Sequence, residues 1–319
     1  MTTKQKILQS LIPLIEDLQF VIIDDKRVQE VAKELLSADL PPWDNDLQLL
    51  GTPEETAQYY FFVDSINFCF WAPKGETRWE YEINGAWVGG YYAYSRAIKD
   101  AFLKSRHFFD AKYLQTIPED VFRAIFESGR NKLLLLEERL QIIRENFSIL
   151  SDQFDGQAIN LIEQTGKDAD KIVELLTASF PSFRDSALWE DSTLYFLKRA
   201  QIFASDVSYT GLPELAIANL DHLTVFADYK LPQILESFGV LTYAPELDAD
   251  IRNEVLIPPG SRKEIEIRAC AITAVERIRD EMERLGRALS SNELDWILWV
   301  KAKQTTFIKP HHKTLTTFY

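Results

Sequence analysis

The chain has 319 residues, 46% of them apolar, and a formal net charge of −14 at pH 7. That apolar share supports a sizeable core in one large domain or two smaller ones, while an acidic chain without a strongly basic run disfavours binding to duplex nucleic acid, which needs cations to neutralise phosphates. Two cysteines and four histidines are too few for a disulfide framework or a His-rich metal centre, so no metal and no cofactor are expected, and Cys69 and Cys270, both in apolar surroundings, read as core filler.

The N-terminal stretch MTTKQKILQSLIPLIEDLQ has neither a long uncharged apolar region nor a small-residue cleavage site, so it does not read as a signal peptide. No apolar run approaches the roughly 20 residues that span a bilayer, and a soluble, cytoplasmic protein without membrane attachment is expected. In DDKRVQEVAKELL, Val28, Val31 and Leu35 form one helical stripe, with Asp24 or Asp25 as cap. TPEE at 52–55 is a capping box with Pro53 at the first helical position, so a helix starts there and runs into the aromatic stretch YYFFVDSINFCFW. RWEYEINGAWVGGYYAY then alternates, and Asn84-Gly85 supplies a type I′ turn, which predicts one short β-hairpin with room for an added strand. Helical period returns in PEDVFRAIFES, closed by Gly129, and in LLLLEERLQIIRENFSIL, GQAINLIEQTG and DADKIVELLTASF. EIEIRACAITAVERIRDEMERLG reads as a long helix with the stripe Ile272, Val275, Ile278, Met282 and Leu285, ended by Gly286, and SSNE at 290–293 opens a further helix through LDWILWVKAK.

The fold class is therefore mainly α, with a small β-hairpin insertion. No internal repeat, low-complexity tract or flexible linker interrupts it, so one compact domain over residues 1–319 is expected. Within it the chain has room for two helical lobes, about 1–150 and 151–319, meeting at a cleft.

P-loop, GxGxxG, HExxH and GxSxG motifs are all absent. What remains is polar residues embedded in apolar stretches. If the helix opened at Thr52 continues, Asp64, Asn67, Phe68 and Trp71 share one face; rings and polar groups so placed suit a flat heterocycle, or Asp64 and Asn67 simply bond neighbouring helices in a core. In STLYFLKRAQIFASDV the pair Lys198-Arg199 can meet a phosphate, or it forms a solvated face with snorkelling stems. In LTVFADYKLPQIL, Pro232 belongs in the first turn of a helix with the stripe Leu231, Ile234, Leu235 and Phe238. Asp228 then stands at the helix start, as a cap, as a carboxylate facing a cleft, or as both. The C-terminal KPHHKTLTTFY carries Lys309, His311, His312, Lys313 and Tyr319; it is either a disordered tail or a strap folded back over an anion.

Taken together, DSINFCFW, FLKRAQI, LTVFADYKLPQ, EIEIRA, ELDWILW and KPHHKTLTTFY, in that order over most of the chain, resemble the queuosine salvage family, the queuosine 5′-phosphate N-glycosylase/hydrolases. One departure is Lys230, where the family pattern has arginine; the charge is kept and bidentate geometry is lost. The resemblance implies a compact helical fold similar to helix-hairpin-helix DNA glycosylases, although GLPELA at 211–216 lacks their glycine-rich DNA-binding hairpin. It implies hydrolysis of the N-glycosidic bond of queuosine 5′-monophosphate, with queuine released for salvage into tRNA.

On that resemblance Asp228 is the catalytic carboxylate that stabilises an oxocarbenium-like sugar. Asp64 and Asn67 contact the base, with Phe68 and Trp71 stacking on it. Lys198, Arg199, Lys230, His311, His312 and Lys313 hold the 5′-phosphate, and Glu264, Glu266 and Arg268 stand behind these groups. The expected partner is the small-molecule nucleotide alone, with the protein a monomer. A non-catalytic binding protein for a modified nucleobase or nucleotide is the alternative function, and a glycosylase acting on polymeric DNA or RNA is a third, which the acidic charge opposes.

Overall fold

The computed structural model describes residues 1–42, 47–127 and 129–319. Among these the chain forms fourteen α-helices and three two-stranded antiparallel ribbons, so the mainly helical reading holds. Local signals set many of the boundaries. Thr52 and Ser290 each close a capping box, Pro53 begins its helix, and the Asp24 side chain accepts the N–H of Arg27. Gly286, at φ 96°, follows the end of the long helix Arg262–Arg284 in the left-handed conformation that glycine adopts without strain. The helix expected over 118–128 spans Glu119–Glu127; its last expected residue, Ser128, lies outside the described residues.

The predicted hairpin is present, with Glu80–Ile83 paired to Ala86–Gly89 in the register Ile83↔Ala86 and Glu80↔Gly89. Asn84 and Gly85 both take positive φ, 52° and 81°, as a type I′ turn requires. The other two ribbons carry no such turn signal. Ser186–Trp189 pairs with Ser192–Tyr195, and Val21–Ile23 pairs with Leu241–Tyr243, joining segments far apart in sequence. The helix Thr3–Ile15, buried through Ile7, Leu11 and Leu14 behind a Thr2 capping box, was likewise not anticipated.

Two buried helices organise the interior. Arg262–Arg284 packs against Asp25–Leu35, Lys230–Ser237 and Ser291–Gln304. The helix Pro53–Ser65 is buried at every position from Thr56 to Ser65, as expected of a helix apolar on all sides, and its Phe61 ring meets those of Phe147, Phe180, Phe183 and Phe203.

This helix stops at Ser65 rather than continuing to Trp71, which corrects the expectation of one shared helical face. Ile66 leaves helical geometry at φ −132°, and Cys69 sits at φ 46°. Two buried guanidinium groups take the freed carbonyls: Arg199 donates to Asp64 and Ser65, and Arg139 donates to Ile66, Phe68 and Cys69. Those donors satisfy a helix end that would otherwise be buried without partners. Asn67–Trp71 therefore run as irregular chain outside the helix. Among the described residues no helix is long and apolar enough to cross a membrane.

Candidate functional site

A cavity of about 480 Å³ opens between the helices Lys198–Tyr209, Lys230–Ser237 and Ser291–Gln304, the segment 67–78, and the C-terminal residues Pro310, His311, Lys313 and Tyr319. Two helices contribute one face each. From the first come Lys198, Ile202, Ser205, Asp206 and Tyr209; from the other come Asn292, Asp295, Trp296, Trp299 and Lys303. Both sets follow helical spacing, so each is a single stripe.

Asp228 lies on the cavity wall at the start of Lys230–Ser237. Its Oδ1 accepts the N–H of Lys230 at 2.7 Å and that of Leu231 at 3.0 Å. It caps the helix with one oxygen, and no donor among the described residues reaches Oδ2. The preceding loop is held from outside: Phe226 N–H donates to Asp295 Oδ1 at 3.0 Å, Thr224 N–H to Gln201 Oε1 at 2.8 Å, and the Ala227 carbonyl accepts from Arg268 Nε at 3.1 Å. Arg268 lies between the rings of Phe196 and Tyr319 and grips Asp185 with two hydrogen bonds. Asp185 also accepts the N–H of Lys198 at 3.0 Å, so one buried ion pair ties the Asp228 loop to the start of the Lys198 helix.

Cations and carboxyls both line the cavity. At one end Lys230, Lys303 and Arg78 gather beside Gly90, whose φ of 80° starts the helix Tyr91–Lys104 without a side-chain cap. Burial, then Lys230 and Arg78, lower Lys303 to about 8. Such a cluster at an open helix start suits an anion. Farther along are Asp206 and Asp295. Asp206 Oδ2 accepts from Tyr91 OH at 3.2 Å. Fully buried Asp64 stands behind it, with Oδ1 accepting from Asn67 Nδ2 at 3.3 Å and Oδ2 without a partner. Burial, and after it Asp206, push Asp64 well up; burial raises Asp206 against the Tyr91 hydrogen bond and Lys198. Two such carboxyls cannot both ionise easily in neutral solution. Asp295 is raised to about 8, first by burial and further by Asp228.

The expected residues divide accordingly. Asp228, Asn67, Phe68, Trp71, Lys198, Lys230, His311 and Lys313 line the cavity. Lys198 Nζ donates to the Asn67 carbonyl at 3.0 Å, and burial lowers its pKa while Asp228 opposes the shift. The C-terminal segment is folded back. His311 lies 4.4 Å from the Tyr229 ring, and burial holds it well below the usual histidine range, so it is neutral. Lys313 donates to the Ala72 carbonyl at 2.6 Å and pairs with Glu254.

Arg199, His312, Asp64, Glu264, Glu266 and Arg268 do not reach the wall. Arg199 is committed to backbone carbonyls of the interior, including that of Ser182. His312, lowered to about 3 by burial, is uncharged and lies 3.3 Å from Tyr319 OH. Glu264 accepts the N–H of Gly260 and faces Arg268 at 3.6 Å, whereas Glu266 takes the N–H groups of Gln19, Phe20 and Val21 together with Arg262. Arg78, Tyr91, Asp206, Asp295 and Lys303 were not singled out in the sequence. The regular spacing of Asn292, Asp295, Trp296, Trp299 and Lys303, and of Lys198, Ile202, Ser205, Asp206 and Tyr209, was the signal that could have found Asp206, Asp295 and Lys303.

The fold and cavity define a mainly helical protein with a partly open cavity of small-molecule size whose wall carries both clustered cations and buried carboxyls. The chain belongs to the queuosine salvage protein family, whose model matches residues 47–319. It is 37% identical over 311 residues to a protein of Sphaerobacter thermophilus, covering 96% of this chain and 95% of that one. It is 36% identical over 269 residues to one of Dictyostelium discoideum, covering 83% and 79%, and 32% identical over 323 residues to one of Mus musculus, covering 95% and 96%. All three carry the name queuosine 5′-phosphate N-glycosylase/hydrolase.

Proposed function

We propose that this protein hydrolyses the N-glycosidic bond of queuosine 5′-monophosphate and releases queuine for salvage into tRNA. The observation that carries the reading is Asp228, whose Oδ1 is fixed by two helix N–H groups and whose Oδ2 accepts no hydrogen bond among the described residues, on the wall of a cavity that also carries the cation cluster and Asp206 and Asp295. The 5′-phosphate sits against Arg78, Lys230 and Lys303, with Lys198 and Lys313 adding charge. Asn67, Phe68 and Trp71 flank the base. Asp64 acts from behind through Asn67 and Asp206, and Arg268 with Glu264 supports the Asp228 loop.

As the bond from C1′ to the base nitrogen breaks, positive charge grows on the sugar, and the Asp228 carboxylate beside it stabilises that charge. Water then supplies a hydroxyl to C1′, with Asp228 accepting its proton. A 7-deazaguanine lacks the ring nitrogen at position 7, so the departing base takes its proton elsewhere. Asp295, which lines the same cavity and whose carboxyl burial raises to about 8, is assigned that role.

We also take the protein to be a cytoplasmic monomer acting on the free nucleotide; the net charge of −14 supports the absence of duplex binding. The pairing of Val21–Ile23 with Leu241–Tyr243, which joins segments far apart in sequence, supports one domain over 1–319. The test incubates purified protein with queuosine 5′-monophosphate, queuosine and GMP and follows released base by mass spectrometry. Queuine release from the nucleotide supports the reading; guanine released as fast as queuine would defeat its specificity.

A further inference from the structure

Queuine carries an aminomethyl arm ending in a cyclopentenediol, and the cavity has an end that the phosphate, the sugar and Asp228 do not use. Lys303 and Asn292 lie on one helical stripe eleven residues apart, about 16 Å along the axis. Lys303 marks the phosphate end. At the other end Asn292 Nδ2 donates to Ser205 Oγ at 3.3 Å and to Tyr209 OH at 3.1 Å. Ser205, accepting there, keeps its own hydroxyl hydrogen to donate. Beside this cluster Asp206 lines the cavity, backed by fully buried Asp64 with its unpartnered Oδ2. A buried carboxylate oxygen without a donor costs about 1–3 kcal/mol and is uncommon in native interiors.

We infer that this end is the specificity subsite for the arm: Asp206, with Asp64 behind it, takes the cationic secondary amine, and Ser205, Tyr209 and Asn292 take the vicinal hydroxyls. The assignment rests on the function proposed above. An ammonium fits better than the neutral donor edge of the base. Two adjacent carboxyls, one on the wall and one buried behind it, resist ionising together, and a cation held against Asp206 relieves that repulsion where a neutral N–H does not. The polarity of the cavity also follows that of the ligand, which runs from phosphate through sugar and base to amine and diol.

The test measures inhibition of queuosine 5′-monophosphate hydrolysis by queuine and by 7-deazaguanine, which lacks the arm, in wild-type, Asp206→Asn and Asn292→Ala proteins whose folding is checked by thermal melting. Asp206→Asn is expected to weaken queuine by about tenfold or more and 7-deazaguanine by less than about threefold. KM for the nucleotide should rise while kcat changes little. Asn292→Ala should shift queuine in the same direction by a smaller factor, and it decides the matter if Asp206→Asn does not fold. A 7-deazaguanine too weak to measure counts for the arm, and the queuine loss then decides. Equal losses for the two bases, or no loss for queuine, overturn the inference and leave the hydrolase reading intact. A wild type that releases no queuine from the nucleotide removes the hydrolase reading instead, and calorimetric binding of the two bases then decides the subsite separately.

Discussion

Arg268 Nε donates to the carbonyl of Ala227 at 3.1 Å, one residue before Asp228. The same guanidinium holds Asp185 at 2.9 and 2.7 Å, so the carboxylate assigned to catalysis is positioned by a buried ion pair. Arg268→Met leaves Asp185 uncompensated and should cost about 3–5 kcal/mol of stability, read by urea unfolding. Arg268→Lys keeps the charge without the two-pronged grip; it should fold and lower kcat by about tenfold with little change in KM. An unchanged kcat in that variant would show that the ion pair serves the fold alone.

On the proposed reading the phosphate sits against Arg78, Lys230 and Lys303. Lys303→Ala or Arg78→Ala should raise KM for the 5′-phosphate by about tenfold to a hundredfold, since each removes a charged hydrogen bond to it. Hydrolysis of the unphosphorylated nucleoside should be nearly unaffected. Steady-state kinetics on both substrates checks this, and equal losses on the two would place the phosphate elsewhere.

Arg199 gives the opposite expectation. Its guanidinium serves the carbonyls of Asp64, Ser65 and Ser182, and each buried acceptor left without a donor costs about 1–3 kcal/mol. Arg199→Met should therefore lower the melting temperature markedly. In whatever fraction remains folded, the preference for nucleotide over nucleoside should persist.

How much of this was legible in the sequence followed the range of the interaction that decides it. Thr52, Ser290 and Asn84-Gly85 act within a few residues, so their helices and hairpin could be read directly, and Pro232 placed Asp228 at a helix start. The stop at Ser65 could not be read, because Arg139 and Arg199 impose it from 73 and 134 residues away. The adjacent residues Lys198 and Arg199 look alike in sequence, yet one faces the cavity and the other the interior. Arg78 and Lys303 come from separate elements, and no local pattern brings them together.

Asp295 sets a pH dependence. Its carboxyl is raised from 3.8 to about 8 by burial first, so between those values the native state holds a proton that the unfolded chain has lost. Stability from this group is complete below about pH 4 and is lost as pH rises through about 8. The melting temperature should fall by several degrees between pH 6 and pH 9, and Asp295→Asn, which can still accept the Phe226 N–H, should flatten that slope. Asp64 and Asp206, shifted in the same direction, should leave a residual slope in the variant. A slope identical to wild type would contradict the assignment.

The most direct test of the central claim is single-turnover release of queuine from queuosine 5′-monophosphate by Asp228→Asn, with nucleotide binding measured in parallel by calorimetry. The amide keeps an oxygen to cap the N–H groups of Lys230 and Leu231 but cannot stabilise a cationic sugar. The expected result is a rate reduced by about 10³ or more, some 4 kcal/mol of transition-state stabilisation, with affinity within a few-fold of wild type. Queuine release at the wild-type rate by a folded Asp228→Asn protein would contradict the account.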